Sequence, residues 1–85
     1  MKAEIRKLLG TDKLVIGTDR VMKMLRNGEI KKVIIASNCN PATIEDVQHY
    51  SKLGNAEIVQ LDIPNEELGV FCKKPFNISV LGIRA

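Results

Sequence analysis

Apolar and polar positions alternate with two different periods along the 85-residue chain, and the period changes at glycine, proline and asparagine. Apolar side chains at helical spacing, or signals that start a helix, predict four helices, at residues 2–9, 19–27, 43–53 and 64–71. Apolar runs or strict alternation predict four strands, at residues 13–17, 31–37, 57–63 and 76–83. Because helices and strands alternate, the order predicts a layered α/β sandwich with a mostly parallel or mixed sheet.

Local signals predict where several of these elements begin. Asparagine and proline in the stretch 38–41 predict a turn after the second strand. Thr43 with Asp46 resembles a capping box that opens the third helix. Pro64 followed by Asn65 predicts the start of the short fourth helix, with Asn65 as its cap.

Ligands of open α/β sheets bind beyond the carboxyl ends of the strands. Three loops in this chain are predicted to lie there, at residues 17–20, 37–41 and 64–67. The first of them opens a helix, and a helix N-terminus offers free N–H groups and partial positive charge to an anion. The polar residues at this junction are Thr18, Asp19, Arg20 and Lys23.

Two explanations fit the cationic helix that begins there. Arg20 and Lys23 share one face, and Val21 and Leu25 occupy the opposite face, where we expect core. This is the ordinary pattern of an amphipathic helix with a solvated side. It is equally the pattern of a helix that holds phosphate or RNA.

Length and composition limit the classes of protein that are possible. The length suits one domain spanning residues 1–85, and no apolar run approaches a membrane span. The N-terminal stretch MKAEIRKLLG is charged throughout and lacks a signal-peptide core, which predicts a cytosolic location. Cys39 and Cys72 suit a reducing compartment, and the sequence leaves open whether they pair.

Charge is unevenly distributed, although the net charge is only +3. Residues 1–32 carry nine Lys/Arg and four Asp/Glu, a balance of +5. Residues 33–67 carry one lysine against six acids, and residues 68–85 carry three Lys/Arg and no acid, balances of −5 and +3. One interpretation is a cationic side that faces an anionic partner, and the other is a normal mixed surface.

The residues give little support to catalysis or metal binding. His49 is the only histidine, and the helical pattern separates it from Cys39, which disfavours a thiol–imidazole dyad. One histidine and two cysteines 33 residues apart do not form a zinc pattern. No phosphate-loop consensus is present, although the Gly17 turn leaves a small nucleotide-binding domain or enzyme as an alternative. We therefore expect no catalytic residue, no metal and no cofactor.

A second polar, cationic cluster favours RNA binding. Lys73, Lys74 and Asn77 precede the last predicted strand, and Asn38 and Asn40 add amides that can bond base edges or phosphates. Aromatic residues make up only 4% of the chain, which is too few for a stacking platform. Recognition of folded RNA by its shape is therefore the favoured interpretation.

Several stretches in the same order resemble one known family over about residues 5–83. They read KLVIGTDRVMKMLRNGEIKKVIIASNCNP, HYSKL, NEELG and KKPFNISVLGI. They are similar to the large-subunit ribosomal L-thirty-e family, within the kink-turn RNA-binding (L-seven-Ae-like) superfamily. The resemblance implies a three-layer α/β/α sandwich with a mixed four-stranded sheet, and an archaeal, non-catalytic protein that stabilises a kink-turn in large-subunit rRNA.

The resemblance also implies which residues contact RNA. The glycine turn and helix start would meet the tandem G·A pairs, through Gly17, Thr18, Asp19, Arg20 and Lys23. The loop after the second strand would add Asn38, Cys39, Asn40 and Pro41. The segment before the last strand would cover the extruded nucleotide and backbone, through Val70, Phe71, Cys72, Lys73, Lys74, Pro75 and Phe76.

Two departures from the superfamily's pattern bear on these expectations. The helix start reads Gly-Thr-Asp, as suits the ribosomal branch, where free-standing relatives read Gly-Asn-Glu. Lys73 stands where the family often has glycine. The implied partners are rRNA and the ribosome, with a monomer when free and no membrane. The alternative is the same module in another ribonucleoprotein, such as a guide-RNA particle or an RNase P.

Overall fold

The alternation of helix and strand predicted from the sequence is confirmed by the computed structural model, which describes residues 2–85. The helices are α1 (Lys2–Leu8), α2 (Thr18–Arg26), α3 (Pro41–Gly54) and α4 (Asn65–Phe71). The strands are β1 (Leu14–Ile16), β2 (Ile30–Ile35), β3 (Glu57–Gln60) and β4 (Val80–Arg84). Within the described residues, no helix has both the length and the apolar character needed to cross a membrane.

The sheet is mixed, as expected, and its strand order is β1-β4-β2-β3. β4 runs antiparallel to both of its neighbours, with Gly82 opposite Val15 on one side and Val33 on the other, whereas β2 and β3 are parallel. β1, β2 and β3 therefore point the same way. Their carboxyl ends and the beginning of β4 lie at the same end of the sheet, which we call the loop end of the sheet.

Helices cover both faces of the sheet, which confirms the three-layer arrangement. Ile34 points into a core with α1 and α4, where Ile5 and Leu68 are fully buried. Its neighbours Val33 and Ile35 point into the opposite core. That second core is completed by α2 and α3 through side chains such as Val21, Leu25 and Val47. The apolar run in β2 is thus explained by burial on both faces.

Gly82 allows α2 to pack close to the centre of the sheet. A Cβ atom at Gly82 would lie 3.0 Å from Cδ1 of Ile30 and 3.2 Å from Cγ2 of Val21. Contacts this short would push the helix away, so the glycine helps to fix the distance between α2 and the sheet.

The start of α3 differs from the expected capping box. The helix begins at Pro41, and Asn40 is its N-cap, with Oδ1 accepting a hydrogen bond from the Ala42 N–H at 2.9 Å. Thr43 consequently lies inside the first turn. Proline at the first helical position and asparagine before it are both favourable, so the NP pair sets the boundary rather than Thr43 and Asp46.

The last strand is shorter than predicted, because it begins at Val80 rather than at residue 76. The alternation in residues 76–79 has another cause. Ile78 is buried in the core beneath α4, while Phe76 is 53% exposed. The Ile78 N–H donates to the Asn65 carbonyl at 3.1 Å, which ties this segment to the start of α4, and the paired residues of β2 and β4 begin only at Val80.

Candidate nucleic-acid interface

Loops from separate parts of the chain meet at the loop end of the sheet, as the sequence predicted. The Gly17 N–H donates to the Val80 carbonyl at 3.3 Å, which joins the end of β1 to the beginning of β4. The Ala36 N–H donates to the Ser79 carbonyl at 2.9 Å, which joins the end of β2 to the same segment. The segment before β4 therefore lies between the other two loops.

Asn65 connects these loops through its side chain, a role that the sequence did not reveal. Its backbone N–H donates to Oδ1 of Asn38 at 2.8 Å, and Nδ2 of Asn38 donates back to Oδ1 of Asn65 at 3.2 Å. Nδ2 of Asn65 then donates to Oγ of Ser79 at 3.3 Å. The expected helix cap at Asn65 is wrong, because the N-cap is Pro64 and makes no side-chain bond. Asparagines 27 residues apart leave no periodic signal that could have identified this link.

The start of α2 is open to solvent. Gly17 is the N-cap, with φ 114°, a conformation that favours glycine, and it supplies no side-chain cap. Thr18 is half-buried and Asp19, Arg20 and Lys23 are exposed. Val21 and Leu25 are buried, which confirms the predicted core face.

The segment from Gly69 to Phe76, which we call the contact segment, includes the end of α4 and folds back on itself. A Cβ atom at Gly69 would collide with the Phe76 carbonyl, so the two backbones touch. The Lys73 N–H donates to the Val70 carbonyl and the Lys74 N–H donates to the Gly69 carbonyl, each at 2.9 Å. Lys73 has φ 59°, in the left-handed region that glycine prefers. Lys73, which stands where the family often has glycine, therefore has a backbone conformation that glycine prefers.

This segment combines exposed apolar and cationic side chains. Val70 is 76% exposed and Phe76 is 53% exposed. Arg20 from α2, Lys73 and Lys74 line the same concavity as these two residues, and its volume is about 1150 Å³. Apolar surface can cover an unstacked base while the cations neutralise its phosphates, so the arrangement suits a folded RNA.

The two cysteines expected at the interface are core residues. Cys39 lies in the core beneath α2 and α3, and Cys72 lies in the core on the opposite face of the sheet. Both are free, so they do not pair. Burial raises the pKa of each thiol, which is the opposite of what an activated nucleophile needs. Cys72 nevertheless lines the concavity described above, whereas Cys39 does not.

The other catalytic and metal-binding alternatives gain no support. His49 is exposed on α3, where its ring meets the edge of Tyr50, and it is not part of an arrangement with Cys39. Across residues 2–85, no group of His, Cys, Asp and Glu side chains could hold a metal ion.

The remaining expected residues surround the concavity or extend away from it. Phe71 is half-buried and lines it, whereas Pro75 lies in a shallower depression with Phe76 and Lys74. Asn38, Asn40 and Pro41 are exposed beside the start of α3. The residues that the sequence did not indicate as part of the concavity include two polar ones, Arg6 and Thr11.

The chain resembles named proteins over almost its entire length. It is 38% identical over 82 residues to "Large ribosomal subunit protein eL30" of Sulfurisphaera tokodaii, covering 96% of this chain and 77% of the relative. The protein of that name from Methanocaldococcus jannaschii is 39% identical over 77 residues, covering 91% and 70%. The one from Archaeoglobus fulgidus is 37% identical over 79 residues, covering 93% and 87%.

A solved structure supports the fold. "The structure of a protein with unknown function from Bacillus halodurans C" superposes with a TM-score of 0.76 at 20% identity, covering 99% of this chain and 77% of that one. The model of the family described as "Ribosomal protein L7Ae/L30e/S12e/Gadd45 family" matches residues 1–85 of this chain. With archaeal relatives at 37–39% identity, this chain belongs to the ribosomal protein L7Ae/L30e/S12e/Gadd45 family.

Proposed function

We propose that this chain is a single-domain, non-catalytic protein of the large ribosomal subunit in the cytoplasm, where it binds and stabilises a kink-turn in rRNA. The observation that carries the proposal is the concavity at the loop end of the sheet. Arg20, Lys73 and Lys74 line it together with the exposed side chains of Val70 and Phe76. The relatives from three archaea share the name of a large-subunit ribosomal protein, which supports the ribosome over another ribonucleoprotein.

The mechanism divides the work between side chains of different chemistry. Thr18 and Asp19, at the uncapped start of α2, offer groups that can meet the guanine edges of the G·A pairs. Arg20 and Lys23 lie on the exposed face of the same helix and neutralise phosphates. Phe76 covers the base that the kink extrudes.

A fixed protein surface is what allows such a site to hold a bent RNA. Hydrogen bonds from Asn65 to Asn38 and Ser79 fasten the loops to one another before any RNA binds. A surface held in one shape binds the kinked RNA conformation better than the extended one, and the equilibrium shifts toward the kink.

The test is a gel-shift titration on a minimal kink-turn RNA. The same RNA with its tandem G·A pairs changed to Watson–Crick pairs serves as the control. We expect tight binding to the intact kink-turn alone, weakened by Lys23→Ala. If Arg20, Lys23, Lys73 and Lys74 each neutralise one phosphate, log affinity falls against log salt with a slope of about −3 to −4.

Equal and weak binding to both RNAs would contradict the proposal. In that case the residues at 17–23 form a solvated cap or a basic face without specificity. A salt slope near zero with tight binding would contradict the assignment of the four cations to phosphates.

A further inference from the structure

The concavity extends beyond the expected contact segment to α1. Arg6 of α1 and Thr11, which follows α1, line it as well. Among the described residues, four cationic residues and no acidic residue line the concavity. Its charge is therefore of one sign, although acids and bases are mixed along α1 itself.

Arg6 is held in place by an aromatic ring rather than by an acid. Its guanidinium carbon lies 5.1 Å from the centroid of the Phe71 ring. No carboxylate among residues 2–85 forms an ion pair with it. Stacking on the ring orders the long side chain and leaves the N–H groups at the edge of the guanidinium available. These groups match the oxygens of a phosphate.

Hydrogen bonds hold the turn beside Arg6. Gly10, two residues after α1, has φ 81°, and the Thr11 N–H and hydroxyl both donate to the Leu8 carbonyl, at 3.0 and 2.7 Å. The turn that follows α1 is thereby fixed to the helix, so this side of the concavity has a defined shape without a ligand.

We propose that Arg6 binds a backbone phosphate of an RNA strand that leaves the kink-turn across α1. The proposal rests on the proposed function, because it extends the same RNA-binding surface. The occupant is an RNA phosphate because this cation is continuous, within one concavity, with Arg20, Lys73 and Lys74. The surface then contacts the bound RNA from α1 as well as from α2 and the contact segment.

The experiment compares Arg6→Gln with Lys7→Gln on a kink-turn RNA whose flanking helices are each about one turn long. Lys7 is the matched control, since it is the next residue of α1, is exposed, carries the same charge and does not line the concavity. We expect Arg6→Gln to weaken binding by about three- to tenfold and to reduce the salt slope by about 0.7 to 0.9. We expect Lys7→Gln to change affinity by less than about twofold.

Arg6→Lys separates the charge from the stacking, and we expect it to keep the salt slope while binding somewhat more weakly. A scan with single methylphosphonates, each neutralising one phosphate, then locates the contact. One substitution should weaken binding by the wild type and leave binding by Arg6→Gln unchanged. Thermal unfolding of each variant confirms that it is folded.

The outcomes separate this inference from the function on which it rests. If the wild type fails to distinguish the kink-turn from its Watson–Crick control, the proposed function fails. If kink-turn binding is specific but Arg6→Gln behaves like Lys7→Gln, only the Arg6 contact is overturned. A weaker Arg6→Gln with an unchanged salt slope also overturns it, because the effect is then one of shape.

Discussion

The connection from β2 to α3 and the contact segment, residues 69–76, both lie at the loop end of the sheet, but they differ in what they expose. In the first, Cys39 is buried, Asn40 caps α3 and Asn38 bonds to Asn65. In the second, Val70 and Phe76 leave most of their surface in solvent. The side chains of Asn38 and Asn40 in the first are hydrogen-bonded within the protein, whereas the second presents exposed apolar and cationic side chains.

This difference allows separate roles, in stability and in RNA binding, to be assigned to the two segments. Bonds and burial in the first connection stabilise the protein itself. Exposed apolar area in the second is unfavourable for an isolated protein and becomes favourable when a partner covers it, and Lys73 in the same segment has a strained left-handed backbone. We therefore expect removal of bonded side chains in the first to change stability and removal of exposed side chains in the second to change RNA binding.

The largest effect on stability is expected at Gly69, where the backbone of α4 touches the backbone of Phe76. Gly69→Ala would drive a Cβ atom into the Phe76 carbonyl and should lower the free energy of unfolding by about 3 kcal/mol. Urea unfolding measures this value. Val70→Ala is the control, since its exposed side chain should change stability by less than about 0.5 kcal/mol. Equal stability of the two variants would show that the segment is not seated as described.

Asn38→Ala should cost about 1–2 kcal/mol of stability, because it leaves the Asn65 N–H without its acceptor. Urea unfolding again gives the value, with the exposed Asn77→Ala as control. RNA affinity should fall by less than about threefold once the unfolded fraction is taken into account. Full stability combined with lost RNA binding would reverse the roles of the two loops.

Phe76→Ala should weaken RNA binding and leave stability almost unchanged, which is the reverse of the effect expected for Asn38→Ala. Because the ring is 53% exposed, we expect less than about 1 kcal/mol of lost stability. Affinity for the kink-turn should fall by about tenfold or more, since the ring would cover an unstacked base. Leu53→Ala is the matched control, as Leu53 is also apolar and 74% exposed but lies on α3. Similar affinities of the two variants would remove Phe76 from the interface.

Substitutions at Lys73 separate charge from backbone conformation. Lys73→Gly should be more stable than Lys73→Ala by about 1 kcal/mol, because φ 59° disfavours a side chain. Both variants remove the same charge, so both should reduce the salt slope of RNA binding by about 0.7 to 0.9. Equal stability of the glycine and alanine variants would contradict the left-handed conformation.

The smallest effect is expected in the reactivity of the two thiols. Burial raises the pKa of both Cys39 and Cys72, so little thiolate forms near neutral pH and alkylation should be slow and should accelerate as pH rises. RNA should protect Cys72, which lies within the contact segment, more than Cys39. Mass spectrometry of alkylated peptides measures both rates. Stronger protection of Cys39 would indicate that RNA covers the other loop.

The order of elements was predictable because it depends on periodicity within single segments. The run in β2 and the spacing of Val21 and Leu25 identify a strand buried on both faces and an amphipathic helix. The meeting of three loops at one end followed from the alternation of strands and helices. The positions of Arg20 and Lys23 on an exposed helix face also followed from their spacing.

What the sequence could not show depends on contacts between distant segments. Asn65 is a plausible helix cap in isolation, and only the folded chain brings it to Asn38 and Ser79. The alternation at residues 76–79 has the period of a strand because Ile78 packs beneath α4, although no strand pairs there. Arg6 joins the concavity because α1 packs on the same face of the sheet as α4.

The place of β4 in the sheet also determines when the interface can form during synthesis. β4 follows the other three strands in the chain, yet it lies between β1 and β2. Until β4 has been made, β1 has no partner in the sheet and the segment carrying Ser79 cannot bond to Ala36 or Asn65. Pairings between such distant segments form late and slowly. A nascent chain therefore acquires its proposed RNA-binding surface only after β4 has been made, which delays binding to RNA during translation.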